Sequence, residues 1–204
     1  MKTIKNLLLV STAICFAGCV TGYTLVATGV NSIDTLQVEA GPGWNLAPNY
    51  AGTGRRKNSQ TWTQDGMLLN RLVFVPAVAD GEALLDVADE SAALPVFRKD
   101  MLPNEIEELA ESTFVKIYGE GNAVFSTSNL RPQTFGDHRG IMFDVEAQVT
   151  ESPDYRGMVG AFIVNEKLYF MYYLAAHPHY YVKHRDAAEA IIKSATLAVP
   201  AEQA

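Results

Sequence analysis

The chain has 204 residues, 48% of them hydrophobic, and a formal net charge of −7 at neutral pH. That length supports one domain with a substantial core, and the acidic balance excludes the basic stripe with which nucleic-acid binders neutralise phosphates. Both cysteines, Cys15 and Cys19, lie near the start, so the folded part has no disulfide framework, no zinc site built on paired thiolates and no thiol nucleophile.

Lys2 and Lys5 form a positive n-region, residues 7–16 an apolar h-region, and the small residues Ala17 and Gly18 stand directly before Cys19, the layout of a cleaved export signal. The segment Phe16-Ala17-Gly18-Cys19 resembles the lipobox of bacterial lipoproteins, with Phe16 where that family usually has Leu. The resemblance implies acylation of the Cys19 thiol, cleavage just before it, and a lipid-anchored amino terminus. Because Val20 rather than Asp follows the cysteine, it also implies the outer membrane, facing the periplasm, in a double-membraned bacterium. Loss of Lys2 and Lys5 with the signal would make the chain still more acidic, so the lipid and not surface charge would provide attachment. Two other readings stay open. A plain secretory signal lacks a well-placed A-x-A-like site. An uncleaved spanning helix needs about 20 apolar residues, and the uncharged run is long enough, but Gly18, Thr21, Gly22, Thr24, Thr28 and Gly29 dilute its second half.

The expected organisation is a signal over 1–18, an uncharged tether over 19–33, a single domain over 34–198 and a short tail over 199–204. A first strand is expected over 35–40, followed by the turn Gly41-Pro42-Gly43 and by Trp44, which packs on the core. Residues 47–59, rich in Gly, Asn and basic side chains, read as a loop. Thr61-Trp62-Thr63 and residues 68–75 read as strands joined near Asp65-Gly66. Residues 76–101 read as a loop with a helical turn. Pro103 then opens a helix, with Glu105, Glu107 and Glu108 at its positive end, Gly119 to close it, and one apolar stripe of Ile106, Leu109, Ala110, Phe114 and Ile117.

The second half reads as strands. Residues 124–130 lead to a break at Pro132, and Asp137-His138-Arg139-Gly140 reads as the turn before 141–149, where Ile141, Phe143, Val145, Ala147 and Val149 alternate with polar residues. Residues 158–164 and 167–174 form a hairpin through Asn165-Glu166. Both strands are apolar on both faces, the mark of central strands covered on two sides. A terminal amphipathic helix, opening near Tyr181, buries Ala188, Ile191, Ile192 and Ala195. The expected fold is α+β, an antiparallel sheet flanked by helices on both faces in an α/β/α sandwich. The order of the apolar hairpin with Leu168-Tyr169-Phe170-Met171-Tyr172-Tyr173, then Tyr180-Tyr181, then a helix ending Ile191-Ile192-Lys193-Ser194-Ala195-Thr196-Leu197 resembles the PsbP-like and DcrB-like proteins. That resemblance implies a curved antiparallel sheet and an accessory or binding role, as in a photosystem subunit and a Ran-binding import factor. It carries over no site residue.

Candidate chemistry is sparse. His177-Pro178-His179 with His184 is a histidine cluster, yet its spacing is not that of a helical zinc site and no acidic residue lies within it. Turn and helix-start histidines are the simpler reading. Asp137-His138-Arg139, with Ser126 and Ser128, could be half of a hydrolytic arrangement, but no G-x-S-x-G elbow exists. Arg55-Arg56-Lys57 after Gly52-Thr53-Gly54 fails the P-loop pattern and reads as a solvated basic loop, with an anionic partner as the second reading. Tyr169, Phe170, Tyr172, Tyr173, Tyr180 and Tyr181 read chiefly as core, with hydroxyls at a rim able to orient a ligand. The function expected is a non-catalytic, membrane-anchored cell-envelope lipoprotein with a binding or structural role, without metal or cofactor. Its partners would be the membrane, through the lipid on Cys19, and an envelope protein. The alternative is a carrier or sensor of a small apolar ligand held between sheet and helix.

Overall fold

The computed structural model describes residues 22–48, 56–86, 93–119 and 121–198. The signal, Cys19, Arg55 and the tail lie outside the described residues, so nothing in the structure bears on those expectations.

Eight strands form one antiparallel sheet. In chain order they are β1 (Thr24–Leu25), β4 (Asn45–Leu46), β5 (Gln60–Thr63), β6 (Asn70–Val78), β7 (Ala123–Phe135), β8 (His138–Val149), β9 (Tyr155–Val164) and β10 (Lys167–Ala176). Across the sheet the order is β1-β4-β5-β6-β10-β9-β8-β7. A smaller sheet joins β2 (Gly29–Ile33), β3 (Leu36–Ala40) and β11 (Thr196–Leu197). Two helices complete the described residues, α1 (Pro103–Tyr118) and α2 (His179–Lys193).

The central hairpin is where the apolar pattern is strongest. The β9 and β10 strands meet at Asn165 and Glu166, both with positive φ, as a two-residue turn of the twist-matched type requires. Alternation along β10 then divides its side chains. Phe170, Tyr172 and Leu174 belong to one buried cluster with Ile106, Leu109 and Phe114 of α1. Tyr169, Met171 and Tyr173 belong to another, with Ala188, Ile191 and Ile192 of α2 and with Ile33, Leu36 and Val38 of the small sheet. Glycine lets α2 come close, since a Cβ on Gly160 would lie 2.5 Å from Ile192 Cγ2 and 3.1 Å from Phe135 Cζ.

Several expectations need correction. Part of the segment expected as tether is strand. Gly29–Ile33 pairs antiparallel with Leu36–Ala40 around Asp34, whose φ is positive. Of this strand only Ile33 is buried, so backbone pairing rather than side-chain burial creates it, and the sequence pattern there is weak. Pro132 does not end a strand, because β7 runs through it. The strand lies at the sheet edge, where a missing N–H is tolerated, and its irregularity falls instead between Ser128 and Arg131, beside the positive φ of Asn129. The following turn is Gly136 and Asp137, with His138 already in β8. The last helix opens at His179, two residues before the expected start. Within 76–101, β6 runs on to Val78 and an Ala83–Val96 bridge ties the two ends of the excursion.

Candidate functional site

A partly open cavity of about 300 Å³ lies between the end of α1 and the sheet. Strand register builds its floor: Thr61 and Tyr172 flank Val73 from either side, making one row across β5, β6 and β10. The roof comes from the last turn of α1, where Phe114, Ile117 and Tyr118 project together because residues three and four apart share a helix face. Phe114 is fixed by edge contact with Tyr172, centroids 5.1 Å apart, and both Phe114 and Tyr118 lean on Phe125. Met67, Leu68 and Leu85 close the sides.

The lining is apolar but for Thr61, the Tyr118 and Tyr172 hydroxyls, and one charged group, Arg71. Arg71 falls on the α1 side of β6 because it lies two residues before Val73. Its guanidinium donates from Nη2 to the Tyr118 hydroxyl and from Nη1 to the Met67 carbonyl at 3.4 Å, and its Cζ lies 5.6 Å from the centre of the Tyr118 ring. No carboxylate pairs with it among the described residues. Sequence reasoning passed over both Arg71 and Tyr118. The signal available was that Arg71 is the only charge in the run 68–78, which is apolar but for Arg71 and Asn70, at the position whose i+2 and i+4 neighbours are Val73 and Val75.

Elsewhere the structure disperses the residues singled out in the sequence. His184 is neither exposed nor clustered with His177 and His179. It is buried, with Nε2 2.5 Å from Oδ2 of Asp65, while Lys183 Nζ donates to Oδ1 of the same carboxylate at 2.9 Å. Asn70 donates to Asp65 at 2.8 Å, and Thr63 donates to Asn70, so α2 is fastened to the turn between β5 and β6. Burial acts to raise the Asp65 pKa, but the hydrogen bonds and charges of Lys183 and His184 outweigh it and bring it below the usual carboxylate value. Among the described residues no group of three or more His, Cys, Asp or Glu side chains is arranged to take a metal ion. Arg56 is not a freely solvated loop charge, since it pairs with Glu82 at 2.6 Å and donates to the Ala83 carbonyl at 2.9 Å. Glu82 is held below its usual range by the Ala79 backbone N–H first, against desolvation, and then by Arg56. Lys57 is exposed.

His138 stacks on Phe162 with centroids 6.1 Å apart, and Ser126 and Ser128 are exposed. The tyrosines divide between the two clusters. Tyr173 is fully buried and donates to the Tyr180 carbonyl at 3.2 Å, and burial pushes its hydroxyl and that of Tyr181 above the ordinary phenol value. Trp44 is also fully buried, as the sequence indicated.

No protein-family model matches the chain, and no curated protein sequence matches it. Among solved structures, the PsbP protein of the cyanobacterium Synechocystis sp. PCC 6803 (CyanoP) is similar with a TM-score of 0.57 at 8% identity, covering 90% of this chain and 97% of that one. A Bacteroides thetaiotaomicron protein aligns at TM-score 0.48 and 11% identity over 86% of this chain, which spans only 51% of that longer chain. Mycobacterium tuberculosis LpqN, described as involved in cell envelope biogenesis, aligns at TM-score 0.40 and 12% identity, covering 87% and 91%. The likeness to CyanoP shows the fold: a PsbP-like α+β arrangement of a large antiparallel sheet with two helices among the described residues. No helix among those residues is long and apolar enough to cross a membrane.

Proposed function

We propose that this chain is a non-catalytic cell-envelope lipoprotein, anchored by acylated Cys19 at the outer membrane and facing the periplasm, whose domain binds an apolar group in the cleft beneath α1. The observation that carries the binding role is the cleft itself. About 300 Å³ is the lower end of the range for small-molecule sites, and such sites combine an apolar lining with few polar groups that set orientation. The anchor rests on the Phe16-to-Cys19 pattern and Val20. An α/β/α sandwich, with the layers lying on opposite faces of the large sheet, is supported by the division of α1 and α2 between the two buried clusters. An envelope-protein partner remains the second reading, favoured by Leu68, 78% exposed at the cleft rim, where a partner's apolar side chain would dock.

Amide hydrogen exchange with and without decyl maltoside tests the cleft. Binding there slows exchange selectively in residues 61–73 and 114–118. Protection spread evenly over the chain, or absent at saturation, would count against the cleft as the binding site.

A further inference from the structure

We propose that the cleft takes a single-chain anionic amphiphile of medium length, with its carboxylate on Arg71 and its hydrocarbon along the row Thr61, Val73 and Tyr172. The inference rests on reading the cleft as the binding site and adds the chemistry of the ligand. It stands on the charge of Arg71. A guanidinium carries five N–H donors and is always ionised. Tyr118 and Met67 each accept one of them, leaving three donors and a full positive charge without a carboxylate partner among the described residues. A carboxylate met in two-point geometry supplies the counter-charge.

Tyr118 adds a second contact. Its oxygen accepts from Arg71 and its own proton is left to donate to a ligand oxygen. Beyond these two residues the polar groups of the lining are the neutral Thr61 and Tyr172 hydroxyls, which bring no counter-charge. At roughly 30 Å³ for a group the size of a water molecule, about 300 Å³ accommodates on the order of ten such groups, which is a chain of decanoate length. The chain's overall charge of −7 does not reverse this preference, because exposed charges more than about 8–10 Å away are largely screened at physiological salt.

The test is calorimetric titration of the full chain carrying C19S, purified without detergent, with decanoate, decyl maltoside and decyltrimethylammonium below their micelle concentrations. Decanoate is expected to bind with one-to-one stoichiometry and about tenfold or more tighter than either of the others, the scale of a charge-assisted hydrogen bond. Arg71→Gln should abolish that preference, and Arg71→Lys, which keeps the charge without the fork, should restore part of it. Ile117→Trp, filling the cleft from its roof, should weaken all three ligands. Near-ultraviolet circular dichroism confirms that each variant is folded. If decanoate and decyltrimethylammonium bound alike, or Arg71→Gln left their ratio unchanged, the anionic headgroup would be wrong while the cleft stood. If no decyl compound bound with defined stoichiometry, or Ile117→Trp changed nothing, the cleft reading and this inference would fail together.

Discussion

Phe162→Ala is the most demanding test of the packing. Phe162 lies in β9, is 1% exposed, and sits in the cluster beneath α2. Its ring is stacked between Phe135 and Tyr169, each with centroids 5.0 Å away and with interplanar angles of 23° and 11°. On the backbone side, the approach of Gly140 is so tight that a Cβ there would lie 2.7 Å from the Phe162 Cβ. Truncating a buried Phe typically costs about 3–5 kcal/mol, and the loss of two ring pairs, each worth about 0.5–1.5 kcal/mol beyond area burial, puts this site in the upper part of that range. With total stability of about 5–15 kcal/mol and a urea slope near 2 kcal/mol per molar, the unfolding midpoint should fall by about 2 M. Equilibrium urea titration followed by tryptophan fluorescence measures it, with Glu166→Ala in the exposed hairpin turn as a control that loses only a surface ion pair with Lys99 and whose midpoint shifts by less than about 0.5 M. A fall of less than about 0.5 M at unchanged slope would mean that the Phe135, Phe162 and Tyr169 stack is not part of the core.

Ile191→Asp puts an unpaired carboxylate beneath α2 at a position 2% exposed, and burial of such a group is expected to abolish a cooperative transition or lower its midpoint severely; a parental urea curve would detach α2 from the sheet. Asp65→Asn should lower stability by about 1 kcal/mol at pH 7 after allowance for partial exposure. The Asp65 pKa is lowered in the folded chain, so its contribution is fully present above the unfolded value near 3.9 and is lost as pH falls through the folded value; the parent and Asp65→Asn should therefore converge between pH 5 and strongly acidic solution, and a gap independent of pH would contradict the Lys183 and His184 contacts. Cys19→Ser should abolish lipidation and release the domain from the membrane fraction, whereas retention after a carbonate wash would favour a spanning helix.

Much of the architecture was legible in order along the chain because short-range pattern encodes it. The period-two alternation of 141–149, the two-faced apolar runs around Asn165-Glu166, and the stripe from Ile106 to Phe114 opened by Pro103 each report burial of one face or two, and each element stands where its pattern lies. What short-range pattern could not report is pairing that buries little. The strand Gly29–Ile33 has a single buried residue and Pro132 sits on an edge strand, so neither leaves the apolar trace by which strands are recognised.

The candidate site was the least legible part, for the same physical reason. Thr61, Val73 and Tyr172 are adjacent only because β5 and β10 flank β6 in a particular register, and Arg71 meets Tyr118 across 47 residues of chain. His184 looked like one of three loosely grouped histidines until the fold set it against Asp65, 119 residues away. By itself the sequence determined which segments are apolar and on how many faces, since burial free energy acts through each side chain's own surface. The tertiary structure alone decided which charge faces which cavity, because those neighbours are chosen by strand order and register, and no local pattern records them.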